Sequence, residues 1–295
     1  MKYGCQSMVD KITDVMIKRP QEAFKNQEHL NKYSEANIYY GIPDYEKCLE
    51  EFEVFEKILR DNMNVHYLPE DEITSLDSIF AHDSLKITKK GAIYFNMTKD
   101  VRKNEAEAAE AFLKTLGIPT LGYIKAPGRM EGGDVLWLED NRVAIGLSYR
   151  TNAEGIRQFT ELTKDFIDEV ITVPMPHAIG DTEVLHLMSV ISPVDKDLAV
   201  VYSRYMPVFF REMLIEQGVE LLEVDDDEYN YLGCNVLAIA PREVIVIEGV
   251  PKIQKKLEDA GCKVYTYPGD EISIKETGGG VCFTAPLTRV KEESK

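Results

Sequence analysis

The sequence has no cysteine pair of the Cys-x-x-Cys kind; its five cysteines stand scattered at 5, 48, 234, 262 and 282. An odd, scattered set argues against a disulfide framework and a structural zinc site, and suits a reducing cytoplasm. Long hydrophobic runs are missing as well. The longest, such as Val244-Ile-Val-Ile247, are strand-sized, far below the roughly 18 residues of a membrane span. The opening MKYGCQSMVDKITDV lacks the apolar stretch of a signal peptide, so a cytoplasmic location is expected. Positive charge is in short supply: 34 Lys and Arg stand against 51 Asp and Glu, a net charge of −17. That excess disfavours nucleic acids and anionic membranes as partners, and mildly favours a cationic small molecule. No Gly-x-Gly-x-x-Gly or Walker-type loop is present, so no nucleotide site is expected. Histidines 29, 66, 82, 177 and 186 show no metal-ligand spacing, so neither a catalytic metal nor a cofactor is expected.

What is present is a repeat. Four pairs of strand-like runs recur about every fifty residues, each joined by a short polar turn: 83–97, 133–147, 188–202 and 233–248. Each pair is followed by a helix-like stretch (105–117, 152–167, 207–218, 251–261) and then a lone strand (120–124, 170–173, 219–224, 263–267). A fifth unit can be assembled from the two ends of the chain. A strand at 12–19, a helix at 44–60 and a strand at 65–68 supply most of it, and a strand at 281–287 completes its hairpin. The fold class predicted is α/β: five ββαβ units in a ring around a central channel, forming a single domain, 1–295. An open α/β sheet with chance spacing is the competing reading.

Polar residues gather just before or at the first strand of the units: Asp77 and Asp83, Glu131 and Asp134, His186, and Cys282 after three glycines. In a ring these points converge. A thiol, an imidazole and carboxylates in one pocket can perform nucleophilic catalysis, with carboxylates left to bind a planar guanidinium. Each residue also has a plain structural reading, such as a satisfied core histidine at 186 or turn-capping aspartates at 83 and 134. The Pro- and Gly-punctuated loop 173–184 before His186 reads either as part of the pocket rim or as a surface connection.

These residues resemble the guanidino-group-modifying enzymes of the pentein fold, which include dimethylarginine dimethylaminohydrolases, arginine deiminases and amidinotransferases. The similarity runs through YGCQSMVDKITDVMIKRP, DSIFAHD, VRKNEA, EGGDVL, IGLSYRTN, HLMSV and GGGVCFTAPL, almost end to end. LDSIFAHDSLKIT is most similar to the dimethylarginine hydrolases. The resemblance implies a five-bladed pseudo-symmetric α/β propeller and a hydrolase cleaving a guanidino C–N bond of an arginine-like substrate through a covalent cysteine adduct. It implies Cys282 as nucleophile, His186 as acid and base, and Glu131 as the residue that orients His186 or binds the guanidinium. It further implies that Asp83 binds the guanidinium, Asp77 the substrate α-amino group, and Arg102 and Arg150 the α-carboxylate.

Two positions depart from the family pattern. His82 stands where dimethylarginine hydrolases commonly carry Glu, so its imidazole either joins the substrate site, accepting a neutral ureido group, or faces away. Met188 stands where deiminases and amidinotransferases usually carry Asp two residues after the histidine. Deimination of arginine, ureido hydrolysis and amidino transfer are the alternatives on this scaffold, and a binding protein of the same fold is the non-enzyme reading. Self-association into a homo-oligomer is compatible with all of them.

Overall fold

The computed structural model describes residues 2–291 apart from 179 and 182–184. It contains five three-stranded sheets, each with the same construction. The first is β3 (Leu85–Thr88), β4 (Gly91–Tyr94) and β5 (Thr120–Tyr123); the second β6 (Val135–Glu139), β7 (Arg142–Leu147) and β8 (Glu169–Pro174). The third is β9 (Ile191–Asp195), β10 (Leu198–Val201) and β11 (Glu220–Glu223); the fourth β12 (Leu237–Ala240), β13 (Glu243–Ile247) and β14 (Lys263–Tyr267). In each, an antiparallel hairpin is followed by a helix that returns the chain to a parallel third strand. A parallel pair needs such a crossover, because its two strands run in the same direction.

The fifth sheet joins the two ends of the chain. β15 (Ala285–Val290) pairs antiparallel with β1 (Lys11–Ile17), and β1 pairs parallel with β2 (Asn64–Tyr67) across the helix Tyr45–Asn62. β15 therefore takes the place that β3, β6, β9 and β12 hold in the other units, and the ring of five ββαβ units is closed. The β15 strand lies beside β3, and β12 lies between β9 and β1.

Burial explains the sequence pattern. The first and middle strands are nearly all buried (LKIT, GAIY, LAVV and LAIA throughout), whereas the third strands are half-exposed. Strands buried on both faces read as continuous apolar runs. Three crossover helices end at Gly117, Gly218 and Gly261, all at positive φ, the usual helix stop. A further helix, Gln27–Asn37, lies in a segment with no strong periodicity and a weakly apolar face.

One expectation needs correcting. The C-terminal strand begins at Ala285, not Val281; residues Gly280–Phe283 form a single helical turn. Asn235 Oδ1 accepts the Val281 N–H at 3.0 Å, and Thr284 Oγ1 donates to the Gly280 carbonyl at 3.1 Å. Those bonds hold the turn and delay the strand. Phe283 anchors it from behind, stacked on Phe80 at 5.7 Å and packed edge-on against Phe52 and Phe55.

Candidate active site

The residues preceding the first strands do converge. Cys282 and His186 line one pocket of about 310 Å³, together with Asn235, Lys99, Tyr229 and Thr277. His186 Nε2 lies 2.9 Å from Glu131 Oε2, and both side chains are buried. Glu131 Oε1 accepts the Thr98 N–H at 3.1 Å, which fixes the carboxylate. Asp134 stands under the histidine loop, taking the Leu187 N–H at 2.9 Å and the Ser148 hydroxyl at 2.7 Å.

The glycines make this geometry possible. A Cβ on Gly133 would fall 2.4 Å from His186 Nδ1, and one on Gly132 would fall 2.1 Å from the His82 carbonyl oxygen. Ahead of Cys282, Gly278 leaves space for the Phe80 ring and Gly279 for the Asn235 amide. The run of glycines thus seats the nucleophile turn against its neighbours; none of the three is at positive φ.

Electrostatics divide the groups sharply. Burial pushes the Cys282 thiol up to about 11, and the charge of Asp83 adds to this. The Asn235 amide, 3.2 Å from Sγ, acts in the opposite direction. Burial alone would push the His186 imidazolium down, but the Glu131 hydrogen bond and the charges of Asp83 and Asp134 outweigh it and raise it. Glu131 shows the reverse balance: burial is overcome by His186, and its carboxyl is held low. Asp83 is also held low, with the Arg102 guanidinium the main force against burial. A buried imidazole raised by a carboxylate and facing a thiol is a functional-site signature.

The other expected residues fall into two groups. Asp77 is buried; Oδ2 accepts from Lys99 Nζ at 2.9 Å, while Oδ1 has no hydrogen-bond partner among the described residues. Arg150 is buried, makes no side-chain hydrogen bond among the described residues, and approaches Glu131 Oε1 only to 3.9 Å. One acceptor, Asp77 Oδ1, and one donor group, the Arg150 guanidinium, are therefore left over among the described residues. Arg102 is a correction: its guanidinium is already occupied by both Glu105 oxygens and by Asp83, all at 2.8 to 2.9 Å, and by the Asp77 and Phe80 carbonyls. Enclosed by acidic groups, it has no free edge for a substrate carboxylate. His82 is a second correction. Its Nδ1 meets the Thr284 carbonyl at 2.9 Å and its Nε2 meets Lys86 Nζ at 2.7 Å, and the ring lines a different cavity from Cys282. Burial holds it neutral, with its value lowered to about 3.

Ligand atoms of Asp83, Glu131 and His186 lie within 4.8 Å of one another, a donor set that could also face a cation. Asp83 already faces Arg102 and Glu131 already faces His186. Two residues escaped sequence reasoning: Asn235, which touches the sulfur, and Lys99, which neutralises Asp77. Asn235 was findable, since it stands before β12 as Asp134 stands before β6. Of the loop 173–184, positions 179 and 182–184 lie outside the described residues.

A closed ring of five ββαβ units with these groups gathered at its centre is the architecture of the guanidino-group-modifying enzymes. Within that class the chain belongs to a particular family: the family model described as N,N dimethylarginine dimethylhydrolase, eukaryotic, matches residues 19–289. It is 26% identical over 254 residues to the N(G),N(G)-dimethylarginine dimethylaminohydrolase of Pseudomonas aeruginosa, covering 83% of this chain and 90% of that protein. The structure of a cysteine-to-serine variant of the Pseudomonas aeruginosa enzyme complexed with citrulline superposes with a TM-score of 0.76 at 22% identity, covering 94% of this chain and all of that one. The N-terminal domain of ArgZ, an arginine dihydrolase from Cyanobacteria, superposes with a TM-score of 0.79 at 17% identity, covering 95% and 98% of the two chains. The protein is a hydrolase of guanidino C–N bonds, of the dimethylarginine dimethylaminohydrolase type.

Proposed function

We propose that the protein hydrolyses an Nω-substituted arginine, dimethylarginine first among them, to citrulline and an amine. The observation that carries this is the buried His186–Glu131 pair at 2.9 Å facing the pocket that holds Cys282. A substrate guanidinium beside Sγ favours the thiolate, and the thiol proton leaves to solvent. The thiolate attacks the guanidino carbon, and the C–N bond breaks as the His186 imidazolium protonates the departing amine. The resulting thiouronium-type adduct is attacked by water, whose proton His186 takes up. Collapse of that intermediate expels the Cys282 thiolate and leaves the ureido group of citrulline.

Around this centre, Glu131 keeps His186 charged and oriented, and Asp83 offers its remaining lone pairs to the guanidinium. Asp77 Oδ1 is the acceptor for the α-amino group. Arg150, whose buried side chain has no hydrogen-bond partner among the described residues, and Lys99, on the pocket wall, are the cations for the α-carboxylate. All five cysteines are free thiols, and no helix among the described residues is long and apolar enough to cross a membrane. A cytoplasmic setting, which keeps the nucleophile reduced, belongs to the same proposal.

The test is a product assay on the purified protein with dimethylarginine, monomethylarginine, arginine, agmatine and citrulline. Citrulline and dimethylamine from dimethylarginine, lost in Cys282→Ser, is the expected result. Ammonia from arginine as the preferred reaction would reassign the substrate to a deiminase. No turnover of any compound would overturn the catalytic reading.

A further inference from the structure

The central channel has a second end. Glu131, Asp134 and His186 precede β6 and β9, whereas an open basin of about 650 Å³ is lined by the turns that follow those same strands, at 139–142 and 195–196. The basin therefore lies on the face of the ring opposite Cys282. Ser7, Met8, Trp137 and Pro193 continue from it into a narrow inner cavity of about 30 Å³, room for about two water-sized occupants.

The polar groups lining that inner cavity are mismatched. Lys86 is 7% exposed, and the one hydrogen bond of its ammonium among the described residues is to neutral His82 at 2.7 Å. Half-buried Arg289 donates to two backbone carbonyls, of Asp10 and Ala238, and lies against the Cys5 thiol, which burial holds neutral; its buried Nε has no hydrogen-bond partner among the described residues. The Trp137 Nε1 donor, also buried, has none either. No carboxylate within 4.0 Å forms an ion pair with either cation among the described residues. Asp83 is engaged by Arg102, and Asp10 meets Arg289 through its backbone oxygen. The two positions that depart from the family pattern, His82 and Met188, both line this cavity, and neither carries a negative charge.

A buried ammonium and a half-buried guanidinium, with two unpartnered donors at Arg289 Nε and Trp137 Nε1 and no carboxylate paired to either cation among the described residues, call for an anion: water can accept the hydrogen bonds but cannot balance the charge. We propose that this cavity is a binding site for a small monovalent anion, of chloride to formate size, held by Lys86 and Arg289 and reached through the basin on the face opposite Cys282. Burial pulls the Lys86 ammonium down to about 8 against the opposing influence of Cys5 and Asp83, so an anion in place would keep it charged. Because His82 is followed directly by Asp83, the occupied site would also brace the turn that carries the carboxylate proposed to bind the guanidinium.

Trp137 is the single tryptophan of the chain and lines both chambers, so its emission reports on the site without a label. The full-length protein is titrated at pH 7 with sodium chloride and, separately, sodium formate, each against sodium gluconate at constant ionic strength. A saturable change with chloride or formate that gluconate does not produce is expected, and the stronger of the two identifies a halide or a carboxylate site. In Lys86→Gln the midpoint is expected to move up at least tenfold. Chloride and formate both behaving as gluconate does would overturn the proposal, as would an unchanged midpoint in the variant. Should the variant fail to fold, wild-type crystals soaked in bromide decide: an anomalous peak between Lys86 and Arg289 supports the site, and none at saturating bromide refutes it.

Discussion

A cysteine raised to about 11 beside an imidazole raised by its carboxylate means that the resting enzyme holds a neutral thiol next to a histidine held toward its charged form. The nucleophile is then switched on by its substrate's positive charge. Alkylation of Cys282 by iodoacetamide in the free enzyme is expected to accelerate by about tenfold per pH unit from 7 to 9 without levelling. A plateau below pH 8 in mass-spectrometric labelling would contradict this. The sign for His186 runs the other way. Its protonated form does the work, so activity falls as pH rises through its pKa, and Glu131 holds that pKa up. In Glu131→Gln the alkaline limb of kcat/KM should move to lower pH and the plateau should drop by about 10²–10⁴; an unmoved limb would mean that Glu131 does not set the histidine's charge. The site chemistry was legible in the sequence as a set of residue types at matching points of a repeat. Partnership was not: nothing in VRKNEA reveals that Glu105, three residues on, takes up the Arg102 guanidinium.

Among the elements, the short turns before the first strands matter more than the strands themselves. Gly133 has a φ open to any residue, yet its missing Cβ is what lets the His186 ring lie where it does. Gly133→Ala is expected to displace that ring, lowering kcat by roughly 10²-fold and stability by about 1–3 kcal/mol. A kcat within twofold of wild type would show that the ring can yield without loss. The helical turn at Cys282 illustrates what sequence pattern misses. VCFTAPL has the apolar character of a strand, and period alone cannot separate one buried helical turn from strand residues. What decides is an acceptor from a distant unit, Asn235 Oδ1, at the Val281 N–H. The strand hairpins and their helices, whose signals are local, stand close to where the spacing placed them.

At the scale of the whole molecule, closure is the central structural fact. The last strand, β15, pairs with β1 from the other end of the chain, so the ring cannot lose one unit without opening. We propose on that basis that residues 1–295 form one cooperative domain. Calorimetry should find a single transition with matching calorimetric and van't Hoff enthalpies; two resolved transitions would divide the ring. This closure was legible because five units needed a fifth hairpin and only the chain ends could supply it. The far face of the channel was not legible, since Lys86 and Arg289 are 203 residues apart by number and nothing local marks them as neighbours.

The central claim is that Cys282 forms a covalent bond to the guanidino carbon during turnover. Wild-type protein is mixed with dimethylarginine, quenched in acid within one turnover and analysed by intact and peptide mass spectrometry. The account predicts an adduct on the Cys282 peptide equal in mass to the substrate less dimethylamine, absent from Cys282→Ser, which also fails to release citrulline. Citrulline released at an undiminished rate by Cys282→Ser, with no adduct in the wild type, would contradict it.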